Sequence, residues 1–274
     1  MDRRRLWLRI RRVWITLGLS ATAIFVVWSV VAYRASDEAR VAARADADVD
    51  VRHDAGIWHF SARSGPANAR VGLVFFPGAL VDPIAYAPIA RAAAVRGFPT
   101  YIIELPRRGA FGGADTPELW ERLRTVLQQA SAPEQWVVAG HSRGAVVASK
   151  VASAPPAGLA GVVLIGTSHP RDVDLSALTI PVAKIAGTRD GLASRAEVEA
   201  NRRKLPASTH WIWVDGGNHS QFGWYGFQPG DRRATITAAA QRALMIGAVL
   251  DVLAAVSNSR RYSGKSSPTS HAPA

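Results

Sequence analysis

The amino-acid sequence predicts a single α/β domain, with a mostly parallel central sheet and helices on both faces, preceded by one N-terminal transmembrane helix. Two features lead to this prediction. Short apolar runs alternate with helical patterns between residues 49 and 256, and a long apolar segment stands near the beginning of the chain. A length of 274 residues is enough for one such domain together with a targeting segment.

The long apolar segment, residues 13–33, contains no Asp, Glu, Lys, Arg or His and is bracketed by Arg12 and Arg34. At about 1.5 Å of rise per residue it forms a helix of roughly 30 Å, which is the thickness of a bilayer hydrocarbon core. A cleaved signal peptide is the alternative, but its apolar region is usually only about 7–15 residues long. We therefore expect a signal anchor.

The basic segment before the anchor, residues 1–12, predicts a cytoplasmic N-terminus, because positive charges beside a membrane helix stay inside. The rest of the chain then lies on the extracytoplasmic side, or is secreted if the apolar segment is cleaved. Much of the net charge of +12 comes from basic residues at the two ends of the chain, which argues against a nucleic-acid binder. The absence of cysteine excludes disulfides, thiolate metal sites and a cysteine nucleophile.

Two further segments flank the predicted domain, which spans residues 49–256. Residues 34–48 are rich in Ala, Arg and Asp and carry no wide apolar stripe, so we predict a juxtamembrane spacer. Residues 257–274 are rich in Ser and Pro and lack apolar periodicity. This composition predicts a disordered tail.

The elements of the domain follow in order along the chain. An opening hairpin is expected, in which residues 49–51 and 57–61 alternate around an Asp-Ala-Gly turn. Apolar runs predict further strands at residues 71–76, 99–105, 136–139, 161–166, 181–187 and 210–214. Helical patterns predict helices at residues 83–96, 116–129, 145–152, 193–204 and 232–256. The short interval 167–179 leaves no room for a large helical cap, so we expect a minimal cap and an open pocket.

The stretch Gly140-His141-Ser142-Arg143-Gly144 stands between a strand pattern and a helix pattern of small residues. A Gly-x-Ser-x-Gly sequence is a weak signal by itself, but strand, sharp turn and helix are the context of a nucleophile elbow. A glycine on either side removes the Cβ atoms that would crowd a serine in a strained turn. Ser142 is therefore the candidate nucleophile, and His141 is interpreted as a packed spacer.

A serine hydroxyl becomes nucleophilic when an imidazole removes its proton and a carboxylate orients that imidazole. Functional groups of a parallel sheet gather at the carboxyl ends of its strands, and Asp190 and His219 each follow a late predicted strand. Asp172 and Asp174, which follow an earlier strand, remain the fallback acids. Asp215 starts a Gly-Gly turn and is interpreted as a turn former.

The order Ser, Asp, His resembles that of the α/β-hydrolases, and the resemblance extends over residues 49–256. More narrowly, the chain resembles a small-cap, dienelactone-hydrolase-like subset of esterases. That subset has a Phe-Pro-Gly turn after the third strand and an Asn-His-x-Gln-Phe-Gly histidine loop. The matching segments are residues 75–83, 140–144, 187–191 and 218–223.

The resemblance implies an α/β-hydrolase fold in which Ser142 is the nucleophile, His219 the base and Asp190 its partner. It also implies an oxyanion hole made of two backbone N–H groups, one from Arg143 and the other from Ala79, with Leu80 as the fallback. The expected substrate contacts are Leu80, His169, Phe222 and Trp224. For the aromatic residues after the histidine, packing that steadies the loop is the alternative.

The leading hypothesis is a membrane-anchored, carboxylesterase-like serine hydrolase that cleaves modest-sized acyl esters through an acyl-enzyme intermediate. The alternatives are acyl transfer or deacylation on an envelope glycan, lipid or peptide, and a non-catalytic binding module of the same fold. We expect a small-molecule or lipid-like ester as substrate and the membrane as partner through the N-terminal helix, with no nucleic acid and no obligate protein partner. The histidines show no ligand spacing, so no metal and no cofactor are expected.

Overall fold

The computed structural model describes residues 3–64, 70–129 and 132–263, and a single eight-stranded sheet lies at its centre. The strands are β1 (Val49–Asp54), β2 (Ile57–Ala62), β3 (Val71–Phe76), β4 (Thr100–Ile103), β5 (Gln135–His141), β6 (Leu159–Ile165), β7 (Val182–Gly187) and β8 (His210–Val214). Their order across the sheet is β1-β2-β4-β3-β5-β6-β7-β8. The β1–β2 and β2–β4 pairs are antiparallel, and all other pairs are parallel. The predicted mostly parallel sheet and its opening hairpin are confirmed.

The helices of the described residues are α1 (Arg3–Ala32), α2 (Asp37–Ala42), α3 (Ala87–Val95), α4 (Pro117–Leu127), α5 (Arg143–Ser153), α6 (Arg195–Ala200) and α7 (Ala238–Ser263). Helices α2 to α7 cover both faces of the sheet, and the N-terminal helix α1 extends away from it. Successive residues of β3 face opposite sides: Leu73 joins the apolar cluster that contains α3 and α7, whereas Val74 joins the cluster that contains α4 and α5. A strand buried on both faces must be apolar throughout, which is why the continuous apolar runs predicted the strands.

Two of the predicted helices are divided into an α-helix and a 3-10 turn. The helix expected at 83–96 is a 3-10 turn (Pro83–Tyr86) followed by α3, because Pro88 has no N–H for the carbonyl four residues earlier. The helix expected at 193–204 stops after α6 and continues as a 3-10 turn at Arg202–Lys204.

The closing helix, predicted at 232–256, begins six residues later, at Ala238. The segment before it is engaged elsewhere: the Arg232 carbonyl accepts from Asn218 at 2.7 Å, and the Thr235 N–H donates to Gly216 at 2.8 Å. The helix continues to Ser263, so the beginning of the predicted disordered tail is helical. Residues 264–274 of that tail lie outside the described residues.

The predicted spacer, residues 34–48, is packed against the domain. Within it α2 buries Ala39 completely, and Ala35 is also part of the core. Arg91 of α3 donates to the Ala42 carbonyl at 2.9 Å and pairs with Asp46 at 2.6 Å. A narrow stripe of alanine is enough for α2 to pack on α3, because small side chains let two helices approach closely. The sequence prediction required a wide apolar stripe and therefore missed this contact.

The N-terminal helix α1 is exposed and apolar. Residues Leu6–Ala32 are long and apolar enough to cross a membrane, and only 6% of an 18-residue apolar stretch within them is buried. A second stretch, Ala238–Ser259, has a similar length and apolar composition, but 44% of its 18-residue apolar stretch is buried, as expected of a core helix. The N-terminal helix is thus a candidate membrane span or signal sequence.

The packing of α2 gives a stability prediction with a matched control. Ala39→Glu places an unpaired carboxylate in the core and is expected to lower the free energy of unfolding by about 2–4 kcal/mol. Val41→Glu, on the exposed side of the same helix, is expected to change it little. Thermal unfolding of the full chain in detergent, followed by circular dichroism, measures the difference. Equal unfolding temperatures for the two variants would contradict the observed packing.

Candidate active site

A strained turn at Ser142 joins β5 to α5. Ser142 has φ 53° and ψ −116°, a left-handed φ that a residue with a side chain adopts only at an energetic cost. A Cβ on Gly140 would lie 2.3 Å from Gly144, and a Cβ on Gly144 would lie 1.9 Å from the Phe76 carbonyl oxygen. Both glycines are therefore required by close backbone contacts, and the turn places Ser142 beyond the end of a central strand.

His219 and Asp190 meet at the ends of the two neighbouring strands β8 and β7. Nδ1 of His219 donates to Oδ2 of Asp190 at 2.9 Å. The other carboxylate oxygen accepts the backbone N–H groups of Leu192 at 2.8 Å and Ala193 at 2.7 Å. Both side chains are buried, and Nε2 of His219 has no hydrogen-bond partner among the described residues. The carboxylate thus fixes the ring with its proton on Nδ1, which leaves Nε2 as the basic nitrogen.

A cavity of about 250 Å³ brings the predicted residues together. Its lining includes Ser142 and His219 together with Ala79 and Arg143. The other candidate acids have different partners: Asp174 accepts from the backbone of its own turn at Ser176, and Asp215 accepts from Thr188 at 3.1 Å. Asp172 acts electrostatically on His169. Of the acids considered from the sequence, the structure joins Asp190 to the histidine.

Asp231 braces the loop that carries His219. Its Oδ1 accepts the backbone N–H groups of His219 at 3.2 Å and Gly191 at 3.0 Å. Its Oδ2 accepts from the backbone and the hydroxyl of Ser220, at 2.8 and 2.7 Å. One carboxylate therefore ties the histidine loop to the loop that carries Asp190. This role has no signature in the sequence, because Asp231 resembles any acidic residue after a Pro-Gly turn.

Tyr86 connects the loop after β3 to His141. Its hydroxyl accepts the Gly78 N–H at 3.2 Å and lies 2.7 Å from Nδ1 of His141. Burial raises the pKa of Tyr86, so its phenol keeps the proton and donates it to that nitrogen. Burial, followed by repulsion from His219, holds the pKa of His141 well below its usual range. A neutral His141 thus packs with its ring centroid 4.5 Å from that of His219.

The loop after β3 also contains Ala79 and Leu80, the first choice and the fallback for the second backbone donor of the oxyanion hole. The Leu80 N–H donates to the Arg108 carbonyl at 2.7 Å, so this group is already engaged. Ala79 lines the cavity beside Ser142. Leu80, which is 43% exposed, lines an adjoining cavity of about 390 Å³ instead.

The structure corrects two of the expected substrate contacts. Phe222 and Trp224 are 0% and 3% exposed and are absent from the cavity lining. His219 begins a tight turn that directs Phe222 inward against His141, with 5.9 Å between ring centroids. Trp224 packs under the guanidinium of Arg242, 4.6 Å from the ring centroid. These aromatic residues therefore steady the histidine loop. The expected contact His169 does line the cavity.

A buried lysine supports the opposite wall. Lys184 donates to the carbonyls of Thr167, at 2.6 Å, and of His169. Burial lowers its pKa to about 7, and the nearby Asp190 partly opposes this shift. Lys184 stood inside an apolar strand pattern, so the sequence offered no reason to place it at the site. Among the described residues, no group of three or more His, Cys, Asp or Glu side chains could hold a metal ion.

Comparisons with known proteins bear on the fold. Residues 72–243 match the family described as "Alpha/beta hydrolase family". A bacterial structure described as a membrane phospholipase A and virulence factor has a TM-score of 0.55 at 13% identity, covering 93% of this chain and 99% of that one. A structure described among the metagenome-derived lipolytic enzymes LipS and LipT has a TM-score of 0.50 at 12% identity, covering 68% and 94%. These likenesses show a common fold. A search of curated proteins gives no match.

The buried His169 predicts how stability depends on pH. Burial, reinforced by Arg171, lowers the pKa of His169 from 6.5 to about 4. Between these values the unfolded chain binds a proton that the folded chain does not, so the free energy of unfolding falls as the pH drops from about 6.5 to about 4. His169→Asn is expected to reduce this slope, as measured by urea unfolding at several pH values. His210→Asn, at an exposed histidine, serves as control, and parallel slopes for both variants would refute the prediction.

Proposed function

Since the chain belongs to the alpha/beta hydrolase family, we propose that it is a carboxylesterase-like serine hydrolase, which cleaves modest-sized acyl esters through an acyl-enzyme intermediate. The observation that carries this proposal is the buried His219–Asp190 pair, whose imidazole lines the same cavity as the strained Ser142. A nucleophile, a base and an orienting carboxylate are the groups that acyl transfer requires. The narrower, dienelactone-hydrolase-like assignment stays a prediction.

Catalysis proceeds in two halves. Nε2 of His219 takes the proton of Ser142 as the hydroxyl oxygen attacks the ester carbonyl, and the resulting tetrahedral intermediate carries a negative oxygen. Its collapse breaks the ester bond, and the leaving alkoxide takes the proton from His219. Water then attacks the acyl-enzyme, again giving a proton to His219. The acid is released, and Ser142 regains its proton. Asp190 keeps the imidazole oriented and stabilises its charged form.

The oxyanion is assigned to the backbone N–H groups of Ala79 and Arg143. Arg143 is the first residue of α5, where N–H groups lack partners inside the helix and the helix dipole favours negative charge. The Leu80 N–H, considered as the alternative, is engaged by Arg108. Donors fixed before the reaction stabilise the developing charge without reorganisation.

The N-terminal helix is proposed to be a signal anchor that holds the hydrolase domain on the extracytoplasmic side of a membrane. Three features support this: the exposed apolar surface of α1, the arginine cluster before it and the positive-inside rule. The structural neighbour described as a membrane phospholipase A covers 93% of this chain. An ester of a membrane lipid is therefore among the substrates to test.

Reaction with a fluorophosphonate tests the nucleophile. Its phosphorus forms a bond to the serine oxygen as fluoride leaves, so folded wild-type protein is expected to become labelled, and Ser142→Ala is expected to lose labelling. Ser168→Ala is the matched control, because Ser168 lines the same cavity. The measurement is the intact mass of each protein. An unlabelled wild type, or labelling that survives in Ser142→Ala, would overturn the proposal.

Tyr86 gives a second prediction, on rate. Tyr86→Phe leaves the Gly78 N–H and Nδ1 of His141 without their partner, which loosens the loop that presents Ala79. We expect kcat/KM for a nitrophenyl ester to fall by about tenfold or more, because a displaced oxyanion donor is costly. Tyr101→Phe is the control, since the hydroxyl of this buried tyrosine makes only a 3.4 Å, partly buried contact with Gln129. Equal rates for the two variants, both folded by circular dichroism, would contradict the positioning role.

A further inference from the structure

We infer that the loop between β4 and α4, residues 106–112, is a membrane-contact surface for bilayers with anionic headgroups. We name it the Phe111 loop. On this surface the phenyl ring of Phe111 enters the headgroup region, and the active-site cavity opens towards the bilayer. The inference rests on the proposed membrane anchor and goes beyond it, because a domain can be anchored and still face the water. It follows from four observations.

The first observation is that no free linker separates α1 from the domain. The carbonyl of Ala32, the last residue of α1, accepts the Gly226 N–H at 2.8 Å, and the carbonyl of Tyr33 accepts the Asp82 N–H at 2.9 Å. The rings of Tyr33 and Tyr225 stack with their centroids 6.3 Å apart. Since Arg34 marks the end of the apolar segment, these contacts fix the domain directly at the membrane surface.

The second observation places the Phe111 loop close to that junction. Asp82, which binds Tyr33, stands two residues from Leu80, whose N–H donates to the Arg108 carbonyl at 2.7 Å. The path from Tyr33 to Arg108 thus consists of one hydrogen bond, two residues of chain and a second hydrogen bond. Its total length, and therefore the distance from the end of α1 to the base of the loop, is at most about 20 Å.

The third observation concerns exposed apolar side chains. In the described part of the hydrolase domain, those that are large and exposed are Leu80, Val95, Phe111, Leu192, Phe227 and Leu244. Four of these surround the active site and the α1 junction. Leu80 and Phe111 line the larger cavity, Leu192 lines the cavity of Ser142, and Phe227 follows the residue that binds Ala32. An apolar patch concentrated on one side of a domain marks an interaction surface.

The fourth observation is the construction of the loop itself. Phe111 is 93% exposed, and its backbone, like those of Arg107 and Arg108, has a left-handed φ of 45–51°. Hydrogen bonds hold this conformation: the Arg107 guanidinium donates to the Phe111 carbonyl at 3.1 Å, and the Ala110 N–H donates to the Arg107 carbonyl at 3.1 Å. The phenyl ring is thus displayed by a strained, bonded loop and is kept from folding onto the protein.

The positive charges of the Phe111 loop favour a membrane with anionic headgroups. Arg107 and Arg108 are exposed, and in the part of the chain that the structure describes neither forms an ion pair with a carboxylate. An aromatic ring beside arginines is the composition of segments that lie in a membrane interface, where the cations attract anionic lipids. An anionic lipid surface therefore offers an apolar environment to the ring and negative charges to both guanidinium groups.

The cavities connect this surface to the reaction. The cavity of about 390 Å³ under the Phe111 loop and the cavity of about 250 Å³ at Ser142 share Ala79, Arg143 and Val146 in their linings. An acyl ester entering at the loop reaches the nucleophile by this route, while the rest of the molecule stays in the bilayer. A site without a large cap suits such a substrate, since the lipid need not be enclosed.

The absence of cysteine allows a test by single spin labels on the full chain. Phe111→Cys, Val95→Cys and Val26→Cys variants are labelled with a nitroxide and reconstituted in nanodiscs of phosphatidylcholine and phosphatidylglycerol. Val95 is an exposed apolar residue of α3 that lies outside both cavities, and Val26 is an exposed residue of α1. Power saturation compares collision with oxygen, which concentrates in lipid, and with a water-soluble nickel chelate.

We expect labels at 26 and 111 to collide preferentially with oxygen and the label at 95 with nickel. For position 111, a decrease of the preference for oxygen in pure phosphatidylcholine is expected, and an unchanged preference would overturn the assignment of an anionic surface. If the label at position 111 collides preferentially with nickel, as at position 95, while the label at position 26 prefers oxygen, the proposed membrane-contact surface is refuted. The proposed membrane anchor is then still supported. If 26 reports water, the anchor and the inference fail together. None of these readouts depends on catalysis, so the serine-hydrolase proposal is tested separately.

Discussion

The hydrogen bond from His219 to Asp190 is the contact around which the site is built. It joins the loops after two neighbouring strands, and it decides which nitrogen of the imidazole is basic. Because both side chains are buried, water cannot replace either partner, and the pair must be held by the protein alone. The backbone donors of Leu192 and Ala193 fix the carboxylate, and Asp231 fixes the backbone that carries the imidazole. Precision at the site therefore comes from loop hydrogen bonds built on a rigid sheet.

One loop serves both this site and the N-terminal segment. His219 stands at its beginning, and a few residues later the Trp224 carbonyl accepts from Ser36 and the Gly226 N–H donates to Ala32. Residues 34–48, for which the sequence suggested a spacer, instead pack α2 onto α3. The helix that we propose to cross the membrane is consequently continuous with the packing behind the imidazole. A displacement of α1 relative to the domain would act on the loop that carries His219.

The part of the candidate site that could be predicted from the sequence consists of residues that directly follow predicted strands. Ser142 follows an apolar strand within a Gly-x-Ser-x-Gly sequence, and Asp190 and His219 follow later strands. Order and position therefore proposed these three residues, with Asp172 and Asp174 left as fallback acids. Phe222 and Trp224 show the limit of such reasoning, since an aromatic residue near a histidine can wall a cavity or fill a core. The tight turn after His219 directs Phe222 into the core, and no periodic pattern in the sequence specifies the direction of such a turn.

By itself, the sequence determined the α/β architecture, the order along the chain of the three candidate catalytic residues and the presence of an apolar helix near the N-terminus. These properties follow from local rules: apolar periodicity, glycine at close contacts and the length of an uncharged run. The tertiary structure decided the roles of Tyr86, Lys184 and Asp231, the packing of α2 and the exposure of Phe111. Each of these depends on residues that are distant along the chain and meet only when the sheet is assembled, so no local pattern records them.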